Sequence, residues 1–239
     1  MVVTLLESIH RKIPTGCASL DRLLRGGFGR GETALIYGEA ATGKTTAVIQ
    51  AAVSCARMGL KVLYVDSDHS FTYQRFQQIA KSQSEAASQL MMLFLPETFA
   101  EQRKLLESLG NYATPSLGMV VVDSMSTLYR AAFSRAESIF TLNRDLGRQL
   151  AYLGEMSTQN NIACIITSQV HARLKPPVGD IEPVARRAIF HFPRTILRIR
   201  NAPRPNIREF FLERLEGSEV RGSSCLVALR EGGIEDAEA

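Results

Sequence analysis

The run Gly38-Glu39-Ala40-Ala41-Thr42-Gly43-Lys44-Thr45 fits the pattern G-x-x-x-x-G-K-[ST] at every fixed position. These residue types at this spacing suit the grip on a polyphosphate. Glycines let the backbone wrap so that its N–H groups converge, the Lys44 ammonium reaches the β- and γ-phosphates, and the Thr45 hydroxyl coordinates Mg²⁺. Thr46 follows in the first helical turn and joins the nucleotide-binding set. By chance the fixed positions arise about once in a hundred chains of this length. The expected ligand is ATP with Mg²⁺.

A second acidic element supports the metal. Met119-Val120-Val121-Val122-Asp123 places a carboxylate at the end of a wholly apolar run, where open α/β sheets bind ligands. Alone, such an Asp reads equally well as a helix cap; beside a phosphate loop the metal role is preferred. Asp68, just past VLYVD, is a candidate to orient or deprotonate the attacking water. Gln169, just past IACIITS, is a candidate to sense the γ-phosphate by hydrogen bonding. Lys44, Asp68 and Gln169 are thus the expected catalytic groups, with Thr45 and Asp123 on the metal.

These groups need a frame that brings strand ends together. The chain alternates short β-rich runs with helix-length segments, the pattern of a mostly parallel sheet with helices on both faces. Ser19 is read as the cap of a short helix stopped by Gly26-Gly27, and Thr33 to Gly38 as a strand. A helix is expected from Lys44 to about Met58, then a strand over Val62 to Asp66. A helix in TYQRFQQIAKSQ, the strand MMLFL, and a helix in EQRKLLESL ended by Gly110 lead into the strand at Asp123. From about Ala136 to Gln159, Ile139, Leu142, Leu146, Leu150 and Leu153 recur at helical spacing. After IACIITSQ comes a long irregular basic loop, about His171 to Ala188. RTILRIR, IREFFLER and SCLVALR read as three antiparallel strands, separated by APRPN and GSEVRGS.

Composition bounds the rest. With 239 residues, 45% of them hydrophobic and 22% charged, one domain spanning 1–239 is expected, with an acidic flexible tail from about 231. No apolar stretch approaches bilayer length and the start lacks a signal-peptide core, so a cytoplasmic protein without membrane contact is expected. The four cysteines are too scattered for a zinc site or a disulfide framework. A net charge of +4, with arginines dense after residue 170, favours anionic partners.

IPTGCASLDRLLRGGFGRGETALIYGEAATGKT, VLYVDSDHSFTYQRFQQIA, MVVVDSMSTLYR and IITSQV together resemble successive blocks of the RecA/RadA recombinase ATPase core. The resemblance covers nearly the whole chain and begins almost at residue 1, as in the shorter archaeal RadB group. It implies a RecA-type P-loop NTPase fold with a C-terminal antiparallel extension, and a role in DNA repair and recombination. It also implies that Arg75, in YQRF, flanks the adenine. A first DNA loop is implied near Tyr129 to Ala136, with Arg130 and Arg135, and a second near His171 to Ala188, with His171, Arg173, Lys175, Arg186 and Arg187. Single-stranded DNA would be held through its phosphates without sequence preference. The plain alternative for these loops is a solvated basic surface. Near them only Tyr129 and Phe133 offer aromatic faces. A RadA-type recombinase or other repair protein is the implied partner, and self-association is left open.

Three departures matter. Recombinases carry Glu where this chain has Asp68, one methylene shorter, so slow hydrolysis is expected. The basic cluster common in the penultimate strand of the RadB group is reduced to Arg214. No Phe-x-x-Ala segment precedes the core. Two rival readings remain: a KaiC-like signalling ATPase, disfavoured by the arginine-rich loop after Gln169, and a non-catalytic mediator that ATP only clamps.

Overall fold

The structure, a computed structural model, describes residues 12–134, 138–169 and 188–237. Strands β3 (Glu32–Gly38), β4 (Lys61–Asp66), β5 (Met91–Phe94), β6 (Leu117–Asp123) and β7 (Ala163–Gln169) are short, and all but β5 carry β-branched residues. They pair in parallel and continue through β8 (Thr195–Asn201) into antiparallel β9 (Ile207–Leu215), β10 (Ser218–Arg230) and β11 (Gly233–Asp236). The order across this nine-stranded sheet is β11-β10-β9-β8-β3-β7-β6-β4-β5. A separate hairpin joins β1 (Lys12–Ile13) to β2 (Phe28–Gly29).

Alternating residues of the parallel strands feed two cores. Ala34, Ile36, Tyr64, Val121 and Ile165 face α1 (Ala18–Leu23), α2 (Lys44–Arg57), α3 (Tyr73–Ala80) and α4 (Ser84–Ser88). Leu35, Val65, Val120, Val122 and Ile166 face α5 (Phe99–Ser108), α6 (Thr127–Phe133) and α7 (Ile139–Asn160). Burial on both faces is why these strands are continuously apolar. In the antiparallel half, Phe210, Leu212, Val227 and Ile234 join the first core, while Arg200 and Leu226 are exposed on the other side.

Several expectations are corrected. Within the expected tail, β11 is an ordered strand that pairs with β10 from Val227↔Asp236 to Arg230↔Gly233. Gln50 of α2 clamps it, accepting from Ile234 N at 2.6 Å and donating to Ile234 O at 2.9 Å. This pairing across 184 residues has no local sequence signal. The extension therefore has four strands, and most of GSEVRGS lies inside β10, which bulges between Glu219 and Ser223. Ser19 lies within α1, whose N-cap is Cys17. Helix α7 starts at Ile139, where the Ser138 side chain accepts from Thr141 N, and closes on Asn161 in the left-handed conformation. Among the described residues, no helix is long and apolar enough to cross a membrane.

Candidate nucleotide site

Gly38 ends β3 and Gly43 opens α2, so the loop between them sits at the carboxyl edge of the sheet. Gly43 has a φ of +98°, the left-handed region that favours glycine, and α2 has no side-chain cap on its first-turn N–H groups. Those donors, with the positive end of the helix dipole, form a cradle for an anion. At Gly38 a Cβ would lie 2.3 Å from Ile199 O, so only a bare backbone fits there. Ala41 at φ +58° carries the turn's strain. Thr42 is buried and donates to Glu39 O at 2.9 Å, bracing the loop, while Glu39 and Ala40 are exposed.

Lys44 is buried, and its Nζ donates to Gly38 O at 3.1 Å and Glu39 O at 2.6 Å. Burial pulls its pKa below the usual lysine value, while Asp123 and Asp68 pull it back up. Asp123 is buried at the end of β6, where Tyr64 Oη donates to Oδ2 at 3.0 Å and Thr167 Oγ1 donates to Oδ1. Desolvation raises its pKa, and the hydroxyls of Thr167, Thr45 and Tyr64 lower it. Thr45 and Asp123 are thus neighbours, although far apart in the chain. No cluster of three or more His, Cys, Asp or Glu side chains suited to a metal occurs among the described residues. Thr45 and Asp123 fit Mg²⁺, an ion that keeps much of its shell as water and phosphate oxygen.

Asp68 lies in the loop that follows β4. Its Oδ1 accepts from Ser124 Oγ at 3.0 Å and its Oδ2 from Gln169 Nε2 at 3.1 Å. Sequence separations of 56 and 101 residues are closed because β4, β6 and β7 end side by side. The turn that carries it is tied down on both sides. Asp66 accepts from Ser70 N and Phe71 N, and Ser67 N and Asp68 N both point at Asp123 O.

A family model described as Rad51 matches residues 8–237. The chain belongs to the Rad51 family. Within it, the "DNA repair and recombination protein RadB" of Thermococcus gammatolerans is 36% identical over 94% of this chain and 98% of its own. That of Thermococcus kodakarensis is 35% identical over 95% of this chain and 100% of its own. A solved structure described as "Crystal structure of the RadB recombinase" superposes with a TM-score of 0.76 at 33% identity, covering 95% of this chain and 100% of that one. The chain is therefore a RadB-like member of the RecA/RadA superfamily, whose members are ATPases that use ATP with Mg²⁺.

Other site expectations fare unevenly. The Arg75 guanidinium donates to Arg230 O at 2.9 Å, Glu231 O at 2.5 Å and Gln78 Oε1 at 3.1 Å. It holds the β10–β11 turn. Arg130 lies in α6, and its Nη2 reaches Gln169 Oε1 at 3.5 Å, so this basic residue adjoins the nucleotide groups. Tyr129 is corrected: it is helical, only 4% exposed, packs edge-on to Phe99 and donates to Asn143 Oδ1 at 2.6 Å. It offers no face to a base. Phe140, in the first turn of α7, is 77% exposed. Arg135, His171, Arg173, Lys175, Arg186 and Arg187 lie outside the described residues.

Sequence reading missed Tyr64, Thr167, Ser124 and Asp66 as supports of the acidic groups. Tyr64 and Thr167 stand at positions of apolar strands that face the sheet's interior, and a hydroxyl there was the available signal.

Proposed function

We propose that this chain binds Mg²⁺-ATP at the Gly38–Thr45 loop, hydrolyses it slowly, and couples nucleotide state to DNA in repair and homologous recombination. The observation that carries this reading is the convergence of Lys44, Asp123, Asp68 and Gln169 at neighbouring strand ends around one anion cradle. The names of the relatives, DNA repair and recombination proteins, support the biological setting.

In this reading, the loop N–H groups and Lys44 hold the β- and γ-phosphates, and Lys44 exchanges its carbonyl partners for phosphate oxygens. Thr45 and Asp123 hold the metal, which neutralises charge on the phosphates when bound. Asp68 orients the attacking water and accepts its proton, and Gln169 donates toward the γ-phosphate. Their mutual contact competes with both roles. Slow turnover follows from that engagement and from the short Asp side chain. Gln169 also touches Arg130, so a DNA phosphate that draws Arg130 away alters the partner of Asp68. Single-stranded DNA bound through its phosphates, a RadA-type recombinase as partner, and self-association complete the proposal.

The test is ATP turnover with and without single-stranded DNA. Lys44→Ala should abolish it, and Asp68→Glu should raise it by extending the carboxylate. One observation favours a second reading, ATP as a clamp in a non-catalytic mediator: both Asp68 oxygens are already satisfied by Ser124 and Gln169. Magnesium-dependent ATP binding without turnover, unchanged in Asp68→Glu, would select that reading. A KaiC-like signalling role would be selected by DNA binding that ignores nucleotide.

A further inference from the structure

Ser67, Gln102 and Gln149 form a buried polar chain that no part of the nucleotide grip requires. Ser67 Oγ donates to Gln102 Oε1 at 2.8 Å, and Gln102 Nε2 donates to Gln149 Oε1 at 2.8 Å. Gln102 Nε2 also lies 3.8 Å from Met125 Sδ, two residues past Asp123. The three polar side chains are 1%, 0% and 1% exposed. Gln149 Nε2 finds no partner among the described residues. Polar groups this deep are costly where apolar side chains would pack, and both glutamines stand on apolar stripes. Gln102 is flanked by Phe99 and Leu106 on α5, and Gln149 by Leu146 and Leu153 on α7. Stability alone gives no reason to retain amides at these two positions.

The geometry offers one. Asp66, Ser67 and Asp68 are consecutive, and their side chains are held by three different parts of the fold: the following turn, the α5–α7 layer, and the ends of β6 and β7. Of these anchors, only the Ser67 hydroxyl ties the turn to the helices. We propose that Gln102 and Gln149 are positioning residues for ATP hydrolysis, acting through Ser67 to hold the Asp68 carboxylate in register with the attacking water. Gln149 fixes the amide of Gln102, which in turn presents its oxygen to Ser67. The inference rests on the reading of Asp68 as the water-orienting group. It predicts that the chain affects the chemical step and leaves nucleotide affinity alone, because no member touches the Gly38–Thr45 loop.

The test compares the natural protein with Ser67→Ala, Ser67→Thr and the double variant Gln102→Leu/Gln149→Leu. The double variant removes both amides together, so neither is left facing an apolar partner, and the one group it strands is the Ser67 hydroxyl, a cost that the melting temperature reads separately. Steady-state turnover, affinity for a fluorescent ATP analogue with Mg²⁺, and melting temperature are measured for each. The expected result is a fall in kcat of roughly ten- to a hundredfold in Ser67→Ala and the double variant, with affinity unchanged. Ser67→Thr, which keeps the hydroxyl, should retain more turnover than Ser67→Ala. Natural turnover in the double variant, equal loss in Ser67→Thr and Ser67→Ala, or a parallel loss of affinity and melting temperature would each overturn the assignment while leaving the proposed function standing. Absence of turnover in the natural protein would overturn both.

Discussion

Asp123 holds a carboxylate where burial opposes its charge, and the hydroxyls of Thr167, Thr45 and Tyr64, with the Lys44 ammonium nearby, offset that opposition. The folded chain keeps this proton more tightly than an unfolded chain with the ordinary value of 3.8, so the contribution to stability is full below that value. It is lost as pH rises through the raised folded value. Without nucleotide, Asp123→Asn should therefore melt higher than the natural protein at neutral pH, by about 2–4 °C for each kcal/mol recovered. The gap should close toward acid. The same variant should lose magnesium-dependent ATP binding, the usual exchange of function for stability at a strained site. Calorimetry across pH checks this, and a lower melting temperature for Asn at neutral pH would refute the desolvation account.

At the scale of elements, the phosphate loop is shaped by neighbours outside its own sequence. Ile199 of β8 passes so close to Gly38 that Gly38→Ala must shift either strand, and nucleotide affinity should drop at least tenfold in equilibrium titrations. Helix α2 also anchors the far edge of the sheet through Gln50, whose amide pairs with both backbone groups of Ile234. Gln50→Leu strands those two groups and should cost about 1–3 kcal/mol, read by denaturant unfolding. Amide exchange in β11 should quicken with it. Unchanged exchange would mean that β10 alone holds the last strand.

Across the whole molecule, phosphate chemistry gathers at one edge of the sheet, and the helices behind it set how that edge responds. Ligand linkage gives a global readout: at a hundredfold excess over Kd, Mg²⁺-ATP should stabilise the fold by about 2.7 kcal/mol, and Lys44→Ala should show none of this shift. Arg130 gives the corresponding readout for DNA. Reversing it to Glu should weaken single-stranded DNA binding and flatten its salt dependence by about one phosphate contact. It should also change turnover without DNA, since Arg130 touches Gln169. If only DNA binding changes, the contact between Arg130 and Gln169 carries no coupling.

Much of the frame was legible in residue order. The phosphate loop, the strand ending at Asp123 and the long helix after it are local patterns, written in glycine spacing, apolar runs and helical period. That Lys44, Asp123, Asp68 and Gln169 would meet followed from each lying at the end of a parallel strand or just beyond one. The partners of those groups were not legible. Tyr64 and Thr167 on Asp123, Ser124 on Asp68, Gln102 against Gln149, and Gln50 against Ile234 depend on sheet order and register, which link residues up to 184 positions apart. A hydroxyl or amide in an apolar stretch announces only that it must be satisfied. Tertiary packing alone decides by what, because hydrogen bonding is fixed by distance in space, and residue order carries only distance along the chain.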